Sequence, residues 1–152
     1  MSVRVQSKAF DAGVETDALG SGRADVGAVA TFIGRVRGDD GLKALTLEHY
    51  PGMTERVIAE IELEAFARWP LLDTRIVHRY GRMELGEGIV FVGVAAGHRQ
   101  VAFEAASYLM DQVKTRAPFW KKEHRDTGDR WVEAKSSDDA AAERWFARKA
   151  AE

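Results

Sequence analysis

The spacing of hydrophobic positions changes along this chain, and each change marks an element. Residues 3–10 alternate loosely, as a strand does, and residues 11–19 follow with a short helical pattern for which Asp11 is a suitable N-cap. Gly20-Ser21-Gly22-Arg23 reads as a turn. Residues 27–37 (GAVATFIGRVR) are apolar on both faces, the pattern of a strand central in a sheet, and Arg35 and Arg37 close it on one side. A turn at 38–41 and a strand at 43–50 follow, closed by Pro51-Gly52. Apolar residues then fall at 53, 57, 61, 65 and 69, with Ile58 and Phe66 beside them, which is one face of an amphipathic helix ended by Pro70.

The second half has the same grammar. Residues 73–80 predict a strand, 81–88 a turn-rich connection, and 89–96 a very apolar strand. Gly97-His98-Arg99 leads into a second long helix over 100–116, with Val101, Ala105, Tyr108, Leu109, Gln112 and Val113 on its buried side. Pro118 stops that helix. An extended run at 118–124 puts Phe119, Lys121 and Glu123 on one side and Trp120, Lys122 and His124 on the other. A turn at 126–129, a returning strand at 130–134 and a last helix over 138–150, capped by Ser136 or Ser137, complete the chain. There is no repeat or linker, so residues 1–152 are expected to form one domain of α+β class, with hairpins outnumbering crossovers.

Composition narrows the field. With 45% hydrophobic and 30% charged residues the chain is of the soluble globular type. It has no cysteine, which excludes disulfides, thiolate metal sites and cysteine nucleophiles. No apolar run approaches the ~20 residues of a membrane span and no signal-peptide core is seen, so the cytoplasm is the expected compartment. A net charge of −2 argues against a general nucleic-acid coat. The exception is local: residues 114–125 hold five Lys/Arg and one acid, a formal +4 on a chain whose remainder is therefore −6.

Within that segment Lys114 and Lys121 stand on either side of the corner at Pro118, so two ammonium groups can converge on one pocket against Phe119 and Trp120. A lysine desolvated beside other cations loses affinity for its proton and can act as base or nucleophile. The plain alternative is two solvated surface lysines. His98 and Arg99 stand at a strand-to-helix junction, where free backbone N–H groups favour an anion, and Arg37 is expected nearby to complete a phosphate site. The alternative there is a junction histidine satisfied by backbone groups. The four histidines lack metal-ligand spacing and no Gly-x-Ser-x-Gly elbow exists, so neither a metal nor a cofactor is expected. Aromatic and basic residues interleaved at 119–125 also suit a single strand of nucleic acid, a reading the acidic remainder opposes.

Several blocks in order carry a resemblance: LTLEHYPGMTE at 45–55, IVFVGV at 89–94 followed by His98-Arg99, Met110-Asp111 with KTRAPFWK at 114–121, and GDRWVEA at 128–134. They resemble the large, catalytic subunit of molybdopterin synthase, over residues 27–145. The resemblance implies an α/β hammerhead-type fold with an additional antiparallel β-subdomain. It implies a sulfurtransferase that converts cyclic pyranopterin monophosphate to molybdopterin. Sulfur would come from a thiocarboxylate on the C-terminal Gly-Gly tail of a small ubiquitin-like sulfur-carrier subunit. It further implies a homodimer with one small subunit at each end, a heterotetramer. The family's catalytic lysines fall on Lys114 and Lys121, and its other pocket positions on Phe32, Arg37, His98, Arg99, Met110 and Glu123. Lys135 stands where some relatives carry arginine and is a further ligand candidate. The competing reading is a non-catalytic module that holds a partner's extended tail by strand addition.

Overall fold

The computed structural model describes residues 1–132 and 136–151. Two four-stranded sheets and four helices are seen among them. In chain order the elements are β1 (Ser2–Gln6), α1 (Ala12–Ala18), β2 (Ala28–Arg35), β3 (Leu42–His49), α2 (Met53–Arg68), β4 (Leu71–Arg79), β5 (Gly81–Glu84), β6 (Gly88–Ala96), α3 (Arg99–Arg116), β7 (Phe119–Arg125), β8 (Gly128–Val132) and α4 (Ser136–Ala151). The first sheet has the order β1-β4-β6-β2, antiparallel except for the β1/β4 pair. The second, β5-β3-β7-β8, is antiparallel throughout. This is the α+β hammerhead-type arrangement with its antiparallel subdomain.

The most apolar strand lies inside the first sheet. Phe91, Val92, Val94, Ala95 and Ala96 of β6 are all fully enclosed, because both faces of this strand are covered. On one face α2 and α3 supply Ile58, Ile61, Ala65, Ala105, Tyr108 and Leu109. On the other, Leu19 just past α1 packs with Phe91, Val77 and Ala95. Gly93 is required there, since a Cβ would stand 2.4 Å from the Leu19 side chain. Asp11 caps α1 as expected, accepting from the Val14 N–H at 3.1 Å. The buried face of α2 is Ile58, Ile61 and Ala65, rotated from the expected face so that Met53 is exposed.

Three expectations are corrected. The strand at 27–37 is not central: β2 is an edge, paired only with β6, and leaves Val29, Phe32 and Ile33 exposed. Its two apolar faces reflect an edge left uncovered within one chain. The connection at 81–88 contains a strand, β5, which pairs with β3 through residues 81–84. Only Met83 of its four residues is buried, too short an alternation to read from sequence. The first strand ends at Gln6, not at residue 10. The last helix starts at Ser136, and the cap expected from Ser136 or Ser137 rests on side chains outside the described residues. The end of the strand expected at 130–134, and Lys135, also lie outside them.

Candidate functional site

Helix α3 organises the candidate residues, because its two ends carry different ones. A link of two residues joins β6 to α3, so the helix must run back across the sheet it has just left. His98 is its N-cap, in extended conformation, with no side-chain hydrogen bond to the cap. The first turn's N–H groups are thus left for solvent or an anion. Gly27, Gly97, His98, Arg99 and Gln100 line an open depression of about 440 Å³ at this end. Gly27 is there for close approach: a Cβ on it would fall 2.2 Å from the Gly97 carbonyl oxygen. His98 and Arg99 are exposed above that depression.

At the other end stand Met110, Lys114 and Arg116, then the corner at Ala117 and Pro118. Phe119 turns inward at the start of β7, packing against the cluster of Val36, Leu42, Leu45, Leu47 and Met83. Its ring stacks on His78, with centroids 3.9 Å apart, and His49 lies 5.9 Å away on its other contact. Burial holds the His78 imidazole well below its ordinary value, at about 4, despite its bond to the Arg79 carbonyl. His78 is therefore a neutral, aromatic shim under the corner.

The basic run at 114–125 divides among several tasks. Arg116 forms a two-pronged pair with Glu64, at 2.6 and 2.9 Å. Arg125 binds Asp39 and Glu123. Lys122 lies over the Trp131 ring, 5.5 Å from its centre, on the opposite face of the second sheet. His124, on that same outer face, bridges Thr46 at 2.7 Å and Asp129 at 3.0 Å. Lys114 is exposed and without an ion pair among the described residues, while Lys121 is half-buried on the inner face, paired in register with Leu47 and Val132. The low-dielectric wall expected around Lys114 is thus not built by this chain alone. The cause is geometric: Phe119 points into the core and Trp120 outward.

Glu123 shares the inner face with Lys121 but is committed to guanidinium groups. Arg125 first, then Arg130, hold its carboxyl below the usual range. Arg37 follows Val36, which is buried in the cluster containing Phe119, so Arg37 lies at the lysine end. Met110 is half-buried one turn before Lys114, and Phe32 stands on the β2 edge, 43% exposed.

The expected cluster of Arg37 with His98 and Arg99 does not form within one chain. Arg35 is paired with Gly88 and Ala28 with Ala96, so Arg37 and His98 lie beyond opposite ends of the β2/β6 pair. Nine residues of β6 separate those ends, about 27 Å at strand rise. Arg99 and Lys114 are likewise about 22 Å apart along the helix axis. The site residues fall into two groups: Arg37, Met110, Lys114 and Lys121 at one end, His98 and Arg99 at the other. Sequence reading counted Arg125 in the basic run and His78 among the four histidines but gave neither a task of its own. The signal for Arg125 was its place two residues after Glu123 on one strand face; none marked His78.

Among the described residues no group of three His, Asp or Glu is placed to hold a metal ion, and no helix is long and apolar enough to cross a membrane. The arrangement offers two cationic ends suited to an anionic ligand, one of them with amines able to exchange protons.

Comparison with known proteins adds to this geometry. Residues 5–116 match the family described as MoaE protein. A molybdopterin synthase catalytic subunit from Pseudomonas aeruginosa is 55% identical over 148 residues, spanning 95% of this chain and 99% of the relative. Among solved structures, a molybdopterin biosynthesis MoaE protein from Burkholderia ambifaria superposes with a TM-score of 0.83 at 47% identity, over 95% of this chain and 97% of that one. A complex of subunits 1 and 2 of the molybdopterin-converting factor from Helicobacter pylori shares the fold, with a TM-score of 0.71 at 18% identity over 88% of this chain and 92% of that one.

Proposed function

The chain belongs to the MoaE family, and from that premise we propose that it is the catalytic subunit of a molybdopterin synthase. As a sulfurtransferase it takes sulfur from the C-terminal thiocarboxylate of a small ubiquitin-like subunit. It installs that sulfur on cyclic pyranopterin monophosphate to form the dithiolene of molybdopterin, in the cytoplasm. Arg37, His98 and Arg99 grip the phosphate-bearing substrate through paired N–H donors. Lys114, nearest the incoming tail, moves protons as acid and base, while Lys121 orients the substrate and stabilises developing negative charge. Phe32 and Met110 line the pocket, and Glu123 keeps the neighbouring arginines in place.

What supports this reading is the placement of two lysines and an arginine toward one end of α3, with His98 and Arg99 at the other end some 22 Å away. A small substrate cannot touch both ends of one chain. We therefore place the working site in a homodimer, where the lysine end of one protomer meets the His98/Arg99 end of the other. The uncovered β2 edge, with Val29, Phe32 and Ile33 exposed, supports such an association. Packing of the mate and the small subunit's tail then supplies the desolvation that Lys114 lacks alone.

The test is a product assay. Purified protein is mixed with thiocarboxylated small subunit and cyclic pyranopterin monophosphate, then oxidised and read for the fluorescent pterin derivative of molybdopterin. Product in the wild type that vanishes with Lys114→Ala is expected. Absence of product despite proven small-subunit binding contradicts the catalytic reading and leaves a tail-binding module.

A further inference from the structure

The turn between β2 and β3 carries Arg37 at one side and is held at the other by a residue outside the proposed reaction. Arg125, last in β7, donates from Nη1 to Asp39 Oδ1 at 2.8 Å and from Nη2 to Asp39 Oδ2 at 3.0 Å, a two-pronged pair across 86 residues of sequence. Nη1 also reaches the Asp40 carbonyl at 3.2 Å, and Nη2 reaches Glu123 Oε2 at 2.7 Å. The guanidinium thus ties the turn to the strand that bears Lys121 and Glu123. It is four-fifths enclosed, with a side-chain exposure of 19%. Its Nε is buried without a hydrogen-bond partner among the described residues, a cost tolerated while the other two nitrogens are engaged.

The opposite side of the turn is fixed as well. Val36 donates to the Glu87 carbonyl at 2.9 Å and accepts from the Gly86 N–H at 2.8 Å. Its side chain is buried among Leu42, Leu45, Leu47 and Met83. Arg37 therefore lies between two anchors, one residue after Val36 and two before Asp39. Without the second anchor the glycine-containing segment at 37–41 keeps, among the described residues, the Leu42 N–H to Asp39 carbonyl bond and the Asp126 N–H to Gly41 carbonyl bond.

We propose that Arg125 is a positioning residue for the sulfur-transfer reaction: through Asp39 and Glu123 it fixes Arg37 relative to Lys121, so that the substrate's phosphate meets an arginine already in place. This rests on the reading of the site given above. The effect belongs to binding and not to chemistry, because the groups Arg125 engages are the Asp39 carboxylate, the Asp40 carbonyl and Glu123. Ordering a segment before the ligand arrives removes that entropy cost from binding. Lysine in its place keeps one charge but loses the fork that engages both Asp39 oxygens.

Steady-state kinetics of the holoenzyme, with thiocarboxylated small subunit in excess and cyclic pyranopterin monophosphate varied, tests the proposal. Arg125→Gln is expected to raise KM for the pterin about tenfold with kcat within about twofold, since what is lost is pre-organisation. Arg125→Lys should recover only part of that loss. Asp39→Asn, on a side chain 52% exposed and therefore safe for folding, should show the same KM rise. The double variant should be no worse than either single one, because both remove the same contact. Hydrogen exchange at the amides of residues 38–42 should quicken in each variant. An unchanged KM in folded Asp39→Asn overturns the proposal, and so does a loss confined to kcat. Wild-type protein that makes no product overturns the functional reading instead, and unaltered exchange at 38–42 would then dispose of the clamp too.

Discussion

The two ends of α3 are both cationic, yet they are built in opposite ways. At the N-terminal end the backbone does the work: Gly27 lets its strand come close to the Gly97 carbonyl, the cap is left open, and His98 and Arg99 are exposed above a depression of about 440 Å³. At the C-terminal end side chains do it. Phe119 is stacked on a buried histidine, Arg116 is held by Glu64, and Arg125 pins the neighbouring turn. The first end is ready to receive an anion with little rearrangement. The second presents two amines in a fixed frame, one of them still solvated. Under the proposed function, opposite construction suits different shares of the work: anion binding alone at the first end, and proton transfer beside Arg37 at the second.

The sharpest way to break this division is at the amine. Lys114→Ala should lower product formation about a thousandfold, the scale of removing a group that acts in the transition state, while size-exclusion chromatography shows the dimer intact. Normal turnover in that variant would reduce Lys114 to a surface residue. A smaller and different effect is expected from the binding end. Arg99→Ala should raise KM for the pterin substrate about tenfold with little change in kcat, as loss of one charge-assisted contact requires. A fall in kcat alone would erase the distinction between the ends.

The smallest effect sharpens the account of the lysine end's frame. Unfolded, the His78 ring takes a proton near 6.5, whereas folded it resists until about 4. Across that window the unfolded chain binds the extra proton, so stability falls as pH drops, by about 3 kcal/mol in all. His78→Phe keeps the stack on Phe119 and cannot titrate. Its urea midpoint should fall less than the wild type's between pH 7 and pH 4.5. The Glu64 carboxyl, held low by Arg116, adds the same acid loss to both proteins and cancels. Equal slopes would mean that His78 is not a buried neutral ring.

Much of this could be read from the chain. Periodicity placed α2, α3 and the enclosed β6, and Pro118 marked the corner between Lys114 and Lys121. The edge position of β2 could not be read, because apolarity on two faces is written the same way for a strand covered by its own chain and for one covered by another. That Arg37 does not meet His98 and Arg99 within one chain has a related reason. Residue types reveal an affinity for phosphate, but antiparallel pairing decides which end of a sheet each one reaches, and the β2/β6 register sends them apart. The task of Arg125 went unnoticed because its partner Asp39 is 86 residues away.

The central claim is that each working site draws its two ends from different protomers, and mixing two variants tests it directly when the pterin substrate is held far below KM, where each parent alone is nearly inactive. Lys114→Ala and a His98→Ala/Arg99→Ala variant are prepared separately, then co-expressed with distinguishable tags so that mixed dimers form. In such a dimer one site carries both lesions and the other carries none. The account predicts product at about a quarter of the wild-type rate for random pairing, since half the dimers hold one intact site of two. Activity no higher than the average of the two parents would contradict it and return both ends of α3 to a site within a single chain.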